Sequence, residues 1–419
     1  MLIRQDGERT VAGAARGTQD ERSETGTRSS APAQPFISFG FAALLVTCSY
    51  WAIDVTSPAL PEMKDTFGLS AKGAGLIFSF IFLGRLFGNF PAARLLETPG
   101  SPRTAAIGGL LMAAGSTVNA VSPTIEVLYA GRVLQGIGIA LLVNAGLRSI
   151  LFAKPGRGAA MTLFGIASTI GGVFGLQSSG YLTGNYGWRS IFVLSAILGV
   201  WLTIIPFISV RVARRSARPD VPEAAASTVS VPVRSYLAPL AINFLIFSNY
   251  SIWVILPLYA EQEFDIGPEM TANLLLIITL THLAAAVPVS RLIRRFGSPH
   301  VLIGGLLLAV VGTVGVLAAS SVWLLSIPLV LYGCGMVGAV NAAGDIVLHR
   351  GGAGSKAVGS LRQTSDLGLV VGPIVGGAIA DSFSYSAPFI AYPILMLGAA
   401  AVGMLVPGVL MPRNTMETA

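Results

Sequence analysis

The sequence predicts an all-α membrane protein in which twelve transmembrane helices form two pseudo-symmetric bundles of six. Three observations carry that expectation: a composition suited to lipid, twelve apolar runs of spanning length, and an internal repeat relating the second six runs to the first. Of 419 residues, 53% are apolar and 11% charged, against roughly 25% charged in a soluble domain. So few ionisable groups cannot coat a water-soluble protein of this size. The mean hydropathy of +0.72 assigns most of the chain to hydrocarbon. A soluble enzyme and a secreted disulfide scaffold are excluded, as is a nucleic-acid binder despite the net charge of +7. Cys48 and Cys334 lie singly in apolar runs, and no Cys/His cluster suggests a metal.

A span takes about 20 mostly apolar residues. Such runs fall at about 36–60, 74–95, 103–121, 125–149, 158–182, 188–210, 237–260, 270–292, 299–319, 322–347, 357–381 and 386–410. Residues 1–35 lack the apolar centre of a signal peptide and read as a disordered tail, so the first run is retained as a span. Residues 211–236, with five Arg and an Ala/Ser run, read as a flexible linker. They separate an N-terminal bundle, 36–210, from a C-terminal bundle, 237–410, which ends in a tail at 411–419. With the N-terminus cytoplasmic, 22 of the 27 Lys and Arg fall on the inner side. Lys64, Lys72 and Arg189 lie outside, and Arg85 and Arg132 lie within spans. This asymmetry predicts a multi-pass protein with both termini in the cytoplasm, and the abundance of Ala, Gly and Val suggests a plasma membrane.

The repeat appears at an offset of 197. Val133-Leu134-x-Gly136-x-Gly138 falls on Val330-Leu331-x-Gly333-x-Gly335, and Asn144 falls on Asn341. Gly171, Gly175 and Gly180 fall on Gly368, Gly372 and Gly377, and Pro91 on Pro288. Two parallel halves of this kind are related by an axis along the membrane normal, with a substrate path between them near the midplane.

The motifs resemble those of the major facilitator superfamily, most of all its twelve-span drug:proton antiporter branch. In span 4, Arg132-x-x-Gln135-Gly136-x-Gly138-x-Ala140 matches the family's R-x-x-Q-G-x-G-x-A. In span 1, Asp54-x-x-x-Pro58-Ala59-Leu60-Pro61 resembles that branch's acidic signature. Gly187-Trp188-Arg189-x-x-Phe192 matches the start of span 6. The resemblance implies a secondary transporter working by alternating access, with a small-molecule substrate, the lipid bilayer as its surroundings and no bound cofactor. It implies proton-coupled efflux of a small amphipathic organic compound, a drug or a metabolite, and a monomer is expected. The chain also departs from the pattern. The acidic residue of the loop after span 2 is replaced by Ala93, beside the retained Arg94. Span 5 reads Gly171-x-x-x-Gly175-Leu176-x-x-Ser179-Gly180, without the antiporter Pro, whereas span 11 carries the whole form, Gly368-x-x-x-Gly372-Pro373-x-x-Gly376-Gly377. These departures keep an uptake symporter or uniporter for a sugar, organic acid or other nutrient as the alternative.

Asp54 lies seven residues before Pro61, and Arg132 about seven after the start of span 4. At 1.5 Å per residue both are expected roughly 10 Å below the outer surface, where they would pair for proton coupling or substrate contact, or as a structural ion pair. Intramembrane ions are costly and functional by default. Gln135, one turn from Arg132, is a candidate substrate donor; Gly136 and Gly138 are read as close-packing positions. Arg85 in span 2 is too deep to snorkel easily, and its repeat counterpart in span 8 is His282. Each is a candidate for a central cavity, and His282 is also readable as a structural histidine. Asp366 is read first as a local i, i+4 pair of Arg362, with Arg85 or a cavity position as the alternative. Asn144 and Asn341 are expected to bond between helices or to touch substrate. Asn249 and Tyr250 belong to a polar, aromatic stretch of span 7 suited to an amphipathic ligand.

Overall fold

The structure is a computed structural model and describes residues 35–97, 100–153, 157–212, 236–351 and 355–405. The tails 1–34 and 406–419 and most of the linker (213–235) lie outside the described residues. Twelve helical segments run back and forth. Span 1 is α1 (Phe39–Asp54) and α2 (Leu60–Phe67), joined by a 3-10 turn at Ser57–Ala59. Spans 2 to 6 are α3 (Ala71–Glu97), α4 (Gly100–Ala120), α5 (Ile125–Ala153), α6 (Arg157–Tyr186) and α7 (Arg189–Ile208). Span 7 is α8 (Leu237–Ser248) and α9 (Ile252–Phe264), joined by a 3-10 turn at Asn249–Ser251. Spans 8 to 12 are α10 (Pro268–Phe296), α11 (Ser298–Gly315), α12 (Ser326–Gly351), α13 (Ser355–Ser382) and α14 (Pro388–Leu405). Among the described residues nine spans are long and apolar enough to cross a membrane. The continuous apolar part of span 12, Pro388–Ala401, is shorter.

Span 1 is longer than the sequence suggests. Pro61 was expected to mark its end, but it occupies the first turn of α2, where a missing N–H costs nothing. The helix stops instead at Gly68, whose φ of 61° supplies the left-handed cap. The ends of spans 1 and 6 differ in the other sense. Pro35–Ile37 pairs antiparallel with Val210–Val212, because the β-branched Ile37, Val210 and Val212 suit an extended ribbon. That ribbon ties the start of span 1 to the end of span 6.

Glycines set the closest approaches. In the first half, span 2 meets span 4 where a Cβ on Gly84 would lie 2.1 Å from the Val133 oxygen, and one on Gly136 would lie 2.1 Å from the Ile81 oxygen. Gly138 stands against the Met112 backbone of span 3 in the same way. Between the halves, span 2 packs on span 11 and span 5 on span 8. For description, the ends of spans 1 and 12 that lead to the chain termini define the terminal side, and the opposite end is distal.

The halves are shut at the distal side. Gly75 lies against the Pro373 carbonyl and Gly377 against Ala71, with Gly180 of span 5 on Pro268 and Glu269 of span 8. The Asp381 carboxylate of span 11 accepts the Ala71 N–H at 2.7 Å and the Lys72 N–H at 3.0 Å. One half thus caps a helix N-terminus of the other, satisfying two N–H groups that have no partner in their own helix. Nearer the terminal side, Gly165 of span 5 and Gly359 of span 11 face open space within 4 Å. Asp381→Ala removes this N-terminal cap, about 1–2 kcal/mol, and is expected to favour distal opening. The rate at which an impermeant maleimide labels an Ala71→Cys reporter, buried at this contact, measures this, with a rise of about tenfold or more expected in the Asp381→Ala background.

Candidate functional site

Depth decides which of the intramembrane ions can meet. Arg132 is seven residues from the distal start of span 4, about 10 Å in. Asp54 is thirteen residues from Phe67, the true distal end of span 1, about 20 Å in. Neither forms an ion pair with the other among the described residues. The expected Asp54–Arg132 pair is therefore corrected, and the continuation of span 1 through Pro61 is the physical reason. Arg85, fourteen residues from Ala71, is at the level of Asp54.

Arg132 and Gln135 are fully buried inside the first half, not between the halves. Arg132 Nε donates to the Ile77 carbonyl of span 2 at 3.1 Å, and its Nη1 donates to Gln135 Oε1 at 2.8 Å. Its guanidinium carbon lies 5.7 Å from the Phe192 ring centre, and Nη2 has no hydrogen-bond partner. The Gln135 amide donates to Ser116 and Ser195, both at 3.0 Å, and its oxygen also accepts from Asn119 at 3.2 Å. A span-4 cation is thus held by neutral dipoles from spans 2, 3 and 6.

Between the halves, five side chains form one connected network. Asp366 of span 11 is 2% exposed and takes a salt bridge from Arg85 Nη2 at 3.1 Å on one oxygen. Its other oxygen accepts from Asn89 Nδ2 at 3.1 Å. Asn89 Oδ1 accepts from Asn144 Nδ2 at 3.0 Å, and Asn144 Oδ1 accepts from Arg362 Nη1 at 3.0 Å. Asp366 and Arg362 lie on one helix, yet Asp366 bonds across to span 2 and Arg362 to span 4. This corrects the local-pair reading of Asp366 and realises the alternative. Asn341, the repeat counterpart of Asn144, is exposed on span 10 and makes no hydrogen bond among the described residues. The expected interhelical bond is absent there, and the two halves use matching positions differently.

Asp54 is half-buried and, unlike Asp366, accepts no hydrogen bond among the described residues. Arg85 of span 2 and Tyr250 of span 7 lie within its electrostatic reach. A Cβ on Gly172 of span 5 would come within 2.6 Å of Asp54 Oδ2 and 4.0 Å of the Thr279 methyl of span 8. Glycine at 172 therefore makes the space that this carboxylate occupies. One turn after Thr279, the His282 ring lies 6.2 Å from that of Tyr250, and its buried Nε2 has no partner. Phe247 stacks on Tyr250 at 5.3 Å, and Tyr50 meets Phe164 edge-on at 6.0 Å. The arrangement offers one free carboxylate and one free imidazole nitrogen, with aromatic rings contributed by both halves. Asn249 is not part of it. Its amide donates to the sulfurs of Met336 and Met396 inside the second half, because the 3-10 turn rotates it away from Tyr250.

The remaining motif residues are scaffold by position. Gly171 and Gly175 lie against the Thr47 and Trp51 carbonyls of span 1, and Gly368 and Gly372 against Phe244 and Ser248 of span 7. Gly376 faces Ser251 and the Tyr392 hydroxyl, and Arg94 is exposed at the terminal end of span 2. Asn89, Gly172 and Asp381 escaped the sequence reading, and Arg362 entered it only as a local partner of Asp366 and not of Asn144. Asn89 and Arg362 carried a signal, being polar side chains on spans 2 and 11 one turn from Arg85 and Asp366.

Removing one member of a buried pair leaves an uncompensated charge, whereas removing both is often nearly neutral. Arg85→Met is therefore expected to destabilise the protein by about 3–5 kcal/mol, and Arg85→Met/Asp366→Leu to recover most of that. Thermal unfolding of the four proteins of the cycle in detergent measures the difference.

The Major Facilitator Superfamily model matches residues 42–248 and 238–417. Among curated relatives, D-xylose-proton symporter-like 2 of Arabidopsis thaliana is 30% identical over 41% of this chain and 34% of its own length. Multidrug resistance protein Stp of Mycobacterium tuberculosis is 28% identical over 35% of this chain and 28% of its own. Methyl viologen resistance protein SmvA of Salmonella typhimurium is 28% identical over 49% and 42%. The matched region thus spans less than half the length of each of these relatives. Two solved structures share the fold. A bacterial homolog of the human lysosomal transporter Spinster, in an inward-facing and occupied conformation, aligns with a TM-score of 0.74 at 15% identity, covering 87% of this chain and 95% of its own. The nucleoside transporter NupG aligns at 0.73 and 12%, covering 88% and 97%. With both halves of the repeat matched by one family model, the chain belongs to the Major Facilitator Superfamily.

Proposed function

We propose that this protein is a secondary transporter that works by alternating access and exports a small amphipathic organic compound in exchange for protons. The observation that carries the reading is Asp54, a mid-membrane carboxylate without a hydrogen bond, set among aromatic rings from both halves. Every other charge at that level, Arg85 and Asp366, is spent on its partner. A carboxylate in low dielectric is stable either protonated or beside a cation, so a proton and a cationic or donor-bearing substrate compete for it. Tyr250 and Phe247 offer a face to an apolar body, and His282 Nε2 a second polar contact. One of the relatives is named for multidrug resistance and another for methyl viologen resistance, which agrees with export. The distribution of Lys and Arg supports a cytoplasmic terminal side, and the reading takes the membrane to be the plasma membrane.

The second reading is proton-coupled uptake of a nutrient. It is favoured by the missing span-5 proline and by the symporter among the relatives. Proteoliposomes with an imposed pH gradient distinguish the two, using methyl viologen and D-xylose as probes. Gradient-driven movement of methyl viologen is expected in the wild type, falling at least tenfold in Asp54→Asn while the thermal midpoint is kept. Undiminished gradient-driven flux in that variant removes Asp54 from coupling, and movement of D-xylose alone replaces export with uptake.

A further inference from the structure

A cavity of about 440 Å³, lined by neither Asp54 nor Asp366, lies between the terminal-side parts of spans 8 and 9 and the middle of span 10. Spans 8 and 9 join at Gly297, whose φ of 82° turns the chain, and they diverge from there with span 10 behind the gap. Leu292, Phe296 and Leu308 form its walls, while Gly304, Cys334 and Gly338 hollow it out. Leu292, Phe296 and Gly304 of its lining are exposed, so its opening faces the acyl chains of the bilayer.

The repeat shows which side chains are missing from the hollow. At the offset of 197 the counterparts of Gly304, Cys334 and Gly338 are Ile107, Ile137 and Leu141. The first half thus carries a branched side chain at each of the three positions where the second half has Gly or Cys. A Cβ added at Gly304 would meet nothing within 4 Å. Water cannot occupy such a space stably, since it needs two to four polar partners and the lining is almost wholly apolar. Hydrocarbon can. From Gly297 to Leu308 the groove rises through eleven residues, about 16 Å, which is about one leaflet of a ~30 Å hydrocarbon core.

The mouth is positively charged. Arg291, Arg294 and Arg295 are exposed on the last turns of span 8, and His300 on the first turn of span 9. The Arg295 guanidinium carbon stands 5.2 Å from the centre of the Phe296 ring, at the groove's entrance. The nearby carboxylate, Asp345, is engaged by Ser298 and by His349 at 3.2 Å. Basic pockets between spans at a membrane boundary suit anionic headgroups. We propose that this groove is a binding site for an anionic phospholipid, one acyl chain lying between spans 8 and 9 and the phosphate at the Arg294–Arg295 end.

The test is thermal unfolding of the purified full chain in detergent with added phosphatidylglycerol or phosphatidylcholine of identical acyl chains. A lipid that binds only the folded state raises the midpoint. Phosphatidylglycerol is expected to raise the wild-type midpoint by several degrees more than phosphatidylcholine. Gly304→Phe, which fills the groove, is expected to abolish that difference while leaving the lipid-free midpoint unchanged. Should that variant unfold, Gly304→Ile, carrying the side chain of the first half, serves in its place. Arg294→Gln/Arg295→Gln is expected to reduce the phosphatidylglycerol response to that of phosphatidylcholine. Equal responses of the wild type to both lipids overturn the proposal, as does a phosphatidylglycerol response that survives the filled groove. A groove-dependent shift with methyl viologen in place of lipid would make it a substrate site and would also overturn it.

Discussion

A charge at the middle of a bilayer costs a few kcal/mol unless it finds a partner, and that cost sorts the mid-membrane ions of this protein into three fates. Arg132 is wrapped in neutral dipoles within one half, with Gln135 and the Ile77 carbonyl as acceptors. Arg85 and Asp366 meet across the halves. Among the described residues Asp54 alone of these four has no hydrogen bond or ion pair, at the same depth as the Arg85–Asp366 pair and beside rings of both halves. The first two arrangements lower the cost of burial and need no ligand. The third retains it, which makes a transported ion or molecule the natural partner.

Energy that holds the halves together is spread unevenly along the membrane normal. Distally, glycines let backbones touch and Asp381 caps span 2. At mid-depth, the Arg85–Asp366–Asn89–Asn144–Arg362 network spans three helices. The terminal-side latch that the family usually builds on an acidic loop residue has Ala93 in its place.

The fold was legible in the sequence because it rests on run length, Lys/Arg distribution and one repeat register, all of which survive without knowledge of contacts. The candidate site was only partly legible. Arg85, Asp366 and Tyr250 were picked out by residue type, but their partners depend on helix rotation and depth, which a one-turn error changes. Asp54 shows the scale of that error. Ending span 1 at Pro61 instead of Phe67 moves its depth by about 9 Å, enough to exchange Arg132 for Arg85 as its neighbour at the same level. Asn249 failed for a different reason, since a 3-10 turn inside an apolar run has no reliable sequence mark. Asp381 and Gly172 were invisible because a capping acid and a space-making glycine look like any others of their type.

The central claim is that Asp54, and not Asp366, is the mid-membrane carboxyl free to exchange a proton. Infrared difference spectroscopy of the protonated-carboxyl band, recorded between acidic and alkaline buffer on reconstituted protein, addresses it directly. The account predicts one titrating band that disappears in Asp54→Asn and persists in Asp366→Asn. A band that survives the first substitution and vanishes with the second would contradict it.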